Sequence, residues 1–343
     1  MNTNGKPVIG VTLGDAAGVG AEIFAKTAAT GVLERTAHAV VIADEREVRR
    51  GAEVAEVEFP YIVVDSVEEA VEQTEIAVVD TKRLDAYAVE LGAESVDCGR
   101  NAGLNLQTAI ERCAAGTFDG VVFGPNNKKM LKEAGFELNG AIDLVARFLG
   151  YEGYRTEISV LGNIWTSRVT SHLPLKDVSA TISTEKILQA ITLLHDTQKL
   201  AGFENPHIAV AALNPHAGEG GMYGTEEIDI VAPAVARAQE REIHAEGPLP
   251  ADTLFYHLFR GTYDSAVTLY HDQGQIALKL RGFGQGVTVF GGVPKPVASC
   301  AHGTAFDVAG KGIADPGAFT NAYEVVSAMA TGSLAARSAA AGR

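Results

Sequence analysis

Three histidines stand where an apolar run gives way to turn residues: His172 in segment 171–175, His216 in 214–218 and His271 in 270–274. An imidazole at the end of a strand aims a neutral nitrogen into a cleft, and three of them with a carboxylate can coordinate one divalent cation. Such a nitrogen-rich set suits zinc, cobalt, nickel or manganese, with magnesium admitted because availability can override affinity. Asp252 and Asp272 are the candidate carboxylate partners, with capping of a helix or turn as the competing role. Of the remaining histidines, His38, His195, His244 and His257 lie on helical or charged stretches with nothing convergent nearby.

Three further constellations bear on ligand binding. Around His216 the segment 214–221 reads Asn-Pro-His-Ala-Gly-Glu-Gly-Gly, and glycines this dense let a ligand approach the backbone closely. Segment 14–20 carries Gly14, Asp15, Gly18 and Gly20; it either caps a helix through Asp15 or offers helix N–H groups to an anion. Segment 302–316 joins His302, Gly303, Thr304 and Ala305 to further glycines. A short hydroxyl, exposed amides and a ring able to stack on a base suit a nucleotide, although a capped helix start would look the same.

The elements that must position these groups alternate. Strand 7–13 leads through the glycine turn to a helix over 21–30. Strands at 39–42, 61–64, 76–79 and 120–123 alternate with helices at 45–54 and 104–115. Such near-continuous apolar strands predict a mainly parallel α/β sheet covered on both faces, with ligands at the carboxyl ends of strands. Strands 158–161 and 166–170, joined by Gly162 and Asn163, suggest an antiparallel element. Helices at 184–200 and 226–241, strands at 207–213, 266–269 and 287–290, and a closing helix over 321–341 complete the pattern. Stretch 53–75, acidic and valine-rich, reads as solvated surface and sheet edge.

Composition narrows the partners. The 343 residues carry 28 Lys and Arg against 43 Asp and Glu, a net charge of −15, which repels nucleic acid and anionic membranes. Cys98, Cys113 and Cys300 are an odd, widely spaced set, suggesting neither disulfides nor a thiolate metal site and fitting a reducing cytoplasm. The N-terminal residues lack an apolar export core, so a soluble cytoplasmic protein is expected.

In this order the motifs closely resemble the 4-hydroxythreonine-4-phosphate dehydrogenase (PdxA) family, as a divergent PdxA-like member. The likeness runs from Gly14 and Asp15 through Lys128, His172, segment 214–221, Pro250-Ala251-Asp252-Thr253-Leu254-Phe255 and Tyr270-His271-Asp272-Gln273-Gly274 to His302-Gly303-Thr304-Ala305. It is shared more distantly with isocitrate and isopropylmalate dehydrogenases.

The resemblance implies two α/β/α domains with a cleft between them, over residues 1–135 with 285–343 (cofactor side) and 136–284 (metal, substrate and dimerisation). It implies a homodimer with its site completed across the interface, a divalent metal on His172, His216 and His271, and NAD or NADP held by Gly14, Asp15, His302, Gly303, Thr304 and Ala305. Asp252, Asp272 and Lys279 would be the catalytic set, the carboxylates orienting ligands or substrate and Lys279 contacting a substrate phosphate. The implied reaction oxidises the alcohol of a β-hydroxy acid, which then loses carbon dioxide.

Departures from the family pattern bear on the substrate. Gly140-Ala141-Ile142-Asp143 stands where relatives carry Gly-His-Thr-Glu, and a phosphate-gripping arginine and its asparagine companion align with Val297 and Thr288. Losing these groups weakens phosphate binding by about 1.5–3 kcal/mol for each charged hydrogen bond. Phosphorylated threonate or erythronate, and a non-phosphorylated carboxylated cis-dihydrodiol of the terephthalate type, are therefore alternative substrates. From other classes, a non-catalytic small-molecule binding protein or a metal hydrolase using the histidines alone would share part of the pattern.

Overall fold

A computed structural model describes residues 5–84, 89–136, 140–282 and 284–333. The strands are β1 (Val8–Thr12), β2 (His38–Ala43), β3 (Ile62–Val64), β4 (Ala77–Asp80), β5 (Gly120–Phe123), β6 (Thr156–Leu161), β7 (Ile164–Arg168), β8 (Ile208–Ala211), β9 (Ala245–Leu249), β10 (Ser265–Thr268), β11 (Val287–Gly291) and β12 (Val297–Cys300). The architecture is mixed α/β, as the alternating apolar pattern implies. The chain forms two compact units. Among the described residues, the first contains those within 1–152, 287–289 and 293–331, and the second those within 153–286, 290–292 and 332–333.

In the first unit the strand order is β3-β4-β2-β1-β5-β12, all parallel, with β11 antiparallel on β12. β1 and β2 are buried on both faces, which is why they read as continuous apolar runs rather than alternating ones. Chain direction across the sheet reverses at β1, which has β2 on one side and β5 on the other, so the carboxyl ends of β1 and β5 flank a topological switch point. Helix Gly20–Ala29 follows β1 and helix Val96–Ala114 precedes β5. The second is longer at its N-terminus than the pattern predicted, because Ser95 accepts a hydrogen bond from the Cys98 amide and starts it early. Edge strand β3 lies in the stretch read as sheet edge.

In the second unit the order is β6-β7-β10-β8-β9. β6 and β7 are antiparallel, with Ser159 opposite Thr166, while β7, β10, β8 and β9 run parallel. Helix Thr184–Leu200 has the expected bounds, with Ser183 as its cap. The 226–241 region splits into a π-helical turn, Glu227–Val231, and helix Ala232–Gln239. His271 departs from its predicted turn setting: it is the first residue of helix His271–Gly282.

Segment 302–316 contains no helix, and the closing helix runs Gly317–Ala330, so the alternative of a capped helix start at His302 is not what forms. Residues 334–341 of the predicted closing helix lie outside the described residues. All three cysteines are buried and unpaired, and burial pushes the Cys113 and Cys300 thiols up to about 12, which leaves them unreactive. No described helix is long and apolar enough to cross a membrane.

Candidate active site

Four parallel strands of the second unit deliver the predicted groups at their carboxyl ends. Across β7, β10, β8 and β9 the segments that follow carry, in order, His172, His271, His216 and Asp252. The His172 and His271 rings lie 5.6 Å apart and line one cleft of about 450 Å3 together with Thr170, Ser171, Leu175 and Tyr270. His216 is exposed on the next arm. Among the described residues no three His, Cys, Asp or Glu side chains are gathered closely enough to hold a cation. The protein thus brings two of the three imidazoles together and sets the third on the neighbouring strand end.

The arms are tied to each other. Thr170 Oγ1 donates to the Leu269 carbonyl at 2.7 Å, joining the His172 arm to the His271 arm. Gln273 Nε2 donates to the Ala212 carbonyl at 2.7 Å while its Oε1 accepts from the Leu269 amide at 2.7 Å, joining the His271 arm to the His216 arm. The Ala212 amide in turn donates to the Leu249 carbonyl at 2.8 Å, just ahead of Asp252. Asp252 and Asp272 are both exposed, each in the first turn of a helix. Asp272 Oδ1 stands 2.7 Å from His271 Nδ1, so the carboxylate fixes a proton on that nitrogen and leaves Nε2 as the available lone pair. This is the donor arrangement a cation needs from a histidine.

The backbone explains the glycine density around His216. Residues His216 to Gly220 all adopt left-handed φ, from 43° to 75°. At Gly218 an added Cβ would stand 2.7 Å from Glu227 Oε2, so close approach excludes any side chain. Glu227 is 2 % exposed, and its Oε1 accepts from the Leu213 and Asn214 amides, both at 2.8 Å. Neither Glu227 nor Gln273 stood out as functional in the sequence; each looks like an ordinary polar helix residue.

In the first unit the two predicted cofactor segments meet. The Val19 amide donates to the Thr304 carbonyl at 3.1 Å, and a Cβ on Gly18 would lie 2.9 Å from that same oxygen. The Asp15 amide donates to the Pro125 carbonyl at 2.9 Å, binding the turn to the end of β5. Asp15 does not cap the helix; its Oδ1 accepts from the Ala17 amide at 3.0 Å, and its buried Oδ2 has no partner among the described residues. Burial pushes its carboxyl up, the Ala17 amide pulls it down, and Glu94 adds a smaller upward push. Ala305 takes a φ of 48°, and Gly303 has open space around its Cα. Gly14, Asp15, Gly303, Thr304 and Ala305 thus cluster around the carboxyl ends of β1 and β12. His302 Nδ1 lies 2.9 Å from the Gly303 carbonyl.

Comparison with known proteins places the chain in a family. The family model described as "Pyridoxal phosphate biosynthetic protein PdxA" matches residues 35–326. A Pseudomonas aeruginosa protein provisionally named 4-hydroxythreonine-4-phosphate dehydrogenase 2 is 43 % identical over 96 % of this chain and 98 % of its own. An Oceanobacillus iheyensis protein provisionally named D-threonate 4-phosphate dehydrogenase is 37 % identical over 90 % of this chain and 94 % of its own. The chain belongs to the PdxA family.

Among solved structures, the PdxA-family chain is similar to 4-hydroxythreonine-4-phosphate dehydrogenase from Klebsiella pneumoniae, with a TM-score of 0.85 and 33 % identity over 95 % of this chain and 98 % of that one. It is also similar to a terephthalate 1,2-cis-dihydrodiol dehydrogenase from Burkholderia xenovorans, with a TM-score of 0.66 and 27 % identity over 94 % and 98 % of the two chains. It is a dehydrogenase, an oxidoreductase acting on a CH–OH group, the activity its relatives are named for.

The departures of this PdxA-family chain have definite places. Ala141, Ile142 and Asp143 form the first turn of helix Ala141–Phe148, with Ala141 and Ile142 half-buried. Val297 is fully buried in β12, where it packs. Lys279 is exposed in the last turn of helix His271–Gly282, and Arg281 lies over the Phe259 ring. One expectation is corrected: His244, read as having nothing convergent nearby, stacks on His207 with ring centres 3.8 Å apart at the start of β9. The contact joins two strands that neighbour only in the folded sheet, which the sequence order hides.

Proposed function

We propose that this chain is a divalent-metal-dependent NAD(P) dehydrogenase that oxidises, and then decarboxylates, a phosphorylated β-hydroxy acid of the 4-hydroxythreonine-4-phosphate or threonate-4-phosphate kind. The observation that carries the reading is the placement of His172, His271 and His216 on three consecutive parallel strand ends, with two rings 5.6 Å apart and one already oriented by Asp272. The donor set fits zinc, cobalt, nickel or manganese better than magnesium, because it is nitrogen-rich.

When bound, the cation would lower the pKa of a substrate hydroxyl and offset charge during carbon dioxide loss, and the nicotinamide would accept the hydride. The chain's own contribution is placement. Asp272 holds the His271 tautomer, Asp252 orients substrate at the end of β9, and Lys279 meets an anionic substituent. Gly14, Asp15, His302, Gly303, Thr304 and Ala305 hold the dinucleotide. A homodimer is part of this reading, supported by the apolar side chains the second unit leaves exposed, Leu175, Met222, Ile228, Ile276 and Leu280 among them. A cytoplasmic setting agrees with three unpaired cysteines.

A second reading has an observation of its own. Among the described residues no Lys or Arg lines the His172/His271 cleft, and Ala141 and Ile142 replace polar family residues, which favours a non-phosphorylated carboxylated cis-dihydrodiol. The experiment is a screen of phosphorylated and unphosphorylated hydroxy acids for NAD or NADP reduction, with and without a chelator. Reduction that requires both phosphate and metal establishes the first reading. Turnover of the dihydrodiol alone establishes the second, and activity indifferent to chelation removes the metal from both.

A further inference from the structure

Arg168 ends β7, four residues before His172, and is 9 % exposed. Its guanidinium is not spent on the surface. Nε donates to Ser171 Oγ at 2.6 Å, and Nη2 donates to Glu157 Oε2 at 3.1 Å, on the antiparallel neighbour β6. Ser171 lines the cleft, and the next residue, His172, adopts a φ of 51°. A side chain bearing a Cβ keeps that left-handed conformation only where its surroundings hold it. Here the surroundings are visible on both sides of the arm. Thr170 is tied to the Leu269 carbonyl, and Ser171 is tied to a cation that is itself anchored to a carboxylate on rigid sheet.

Guanidinium suits this task. It remains charged at all accessible pH values, and its planar fork serves Ser171 and Glu157 at once, which a lysine ammonium on a flexible stem does less well. We propose that Arg168 is a positioning residue: through Ser171, and braced by Glu157, it fixes the 169–172 arm and thereby the cation affinity of His172. The inference rests on the reading of His172 as a metal ligand. Arg168 itself touches neither substrate nor cofactor in this role.

The test compares the full-length protein with Arg168→Met, Arg168→Lys, Ser171→Ala and the double variant Arg168→Met/Glu157→Gln, which leaves no carboxylate without its partner. Hydrogen exchange of the metal-free proteins reads the arm alone: amides 169–173 should exchange at least tenfold faster in Arg168→Met, in Ser171→Ala and in the double variant. Titration calorimetry with Co2+ and Zn2+ reads the coupling, with affinity expected to fall 10- to 100-fold, the usual cost of losing a group that orients a ligand. The visible bands of the Co2+ form should shift, and Arg168→Lys should recover part of both effects. NAD affinity, governed by the first unit, should change less than twofold.

Unchanged exchange over 169–173 overturns the role of Arg168. Faster exchange with unchanged Co2+ affinity and spectrum overturns the link to His172. If the unmodified protein binds neither ion, the metal reading of the site falls, and the exchange result still decides whether Arg168 holds the arm.

Discussion

At the scale of single residues, the site depends on groups that orient other groups. Asp272 is exposed, yet its contact with His271 Nδ1 sets which nitrogen faces the cleft. Asp272→Asn should lower Co2+ or Zn2+ affinity by roughly 10- to 100-fold while leaving NAD affinity alone, measured by calorimetry with each ligand. Glu227 plays the corresponding part for the His216 arm. Glu227→Ala would strip the half-buried Leu213 and Asn214 amides of their acceptor and cost about 2–4 kcal/mol, read from urea unfolding. The histidines were legible in the sequence because turn residues surround them. Their supports were not, since Gln273 reaches a carbonyl 61 residues away and Arg168 a carboxylate 11 residues away on another strand. Nothing local marks a glutamine or an arginine for such a partner.

At the scale of elements, strand ends and loops carry the candidate site. The sequence revealed most buried strands and the long amphipathic helices, because those patterns follow from burial on one face or both. It placed His271 in a turn, although the residue opens a helix, since Tyr270-His271-Asp272-Gln273-Gly274 is rich in turn formers and Asp272 serves equally in a helix's first turn. It also could not show that the 14–20 and 302–305 segments touch. That contact yields a prediction. Gly18→Ala places a methyl 2.9 Å from the Thr304 carbonyl, so the 302–305 loop must shift. NAD affinity should weaken by about tenfold or more, at about 1.4 kcal/mol per decade, while Co2+ affinity holds, by parallel titrations.

At the scale of the whole molecule, one buried group shapes the response to pH. Glu47, 2 % exposed, accepts from Asn101 Nδ2 at 2.9 Å, and burial pushes its carboxyl up from 4.5 to about 7. A carboxyl whose folded pKa is raised binds protons more readily in the native state. Its stabilising contribution is therefore complete below pH 4.5 and is lost as pH rises through about 7. The shift corresponds to a loss on the order of 3 kcal/mol. Glu47→Gln keeps an acceptor for Asn101 and removes the ionisation, so unfolding free energies of the two proteins should converge near pH 5 and diverge in the variant's favour by pH 8. Parallel slopes across that range in urea titrations would contradict the assignment.

The connection between distant ends of the first unit has a consequence for biosynthesis. Lys26 Nζ donates to the Gly312 and Ala314 carbonyls at 2.9 and 2.7 Å, and Glu22 Oε1 accepts from the Ala314 amide at 2.8 Å. β5 likewise waits for β12. A ribosome must therefore have made residues 297–300 before β5 acquires its second neighbour, whereas segment 153–286 of the second unit leaves the exit tunnel as one uninterrupted stretch. The first unit's sheet thus keeps one margin of β5 unpaired until residues 297–300 emerge, and in the interval that margin is the surface most in need of a chaperone.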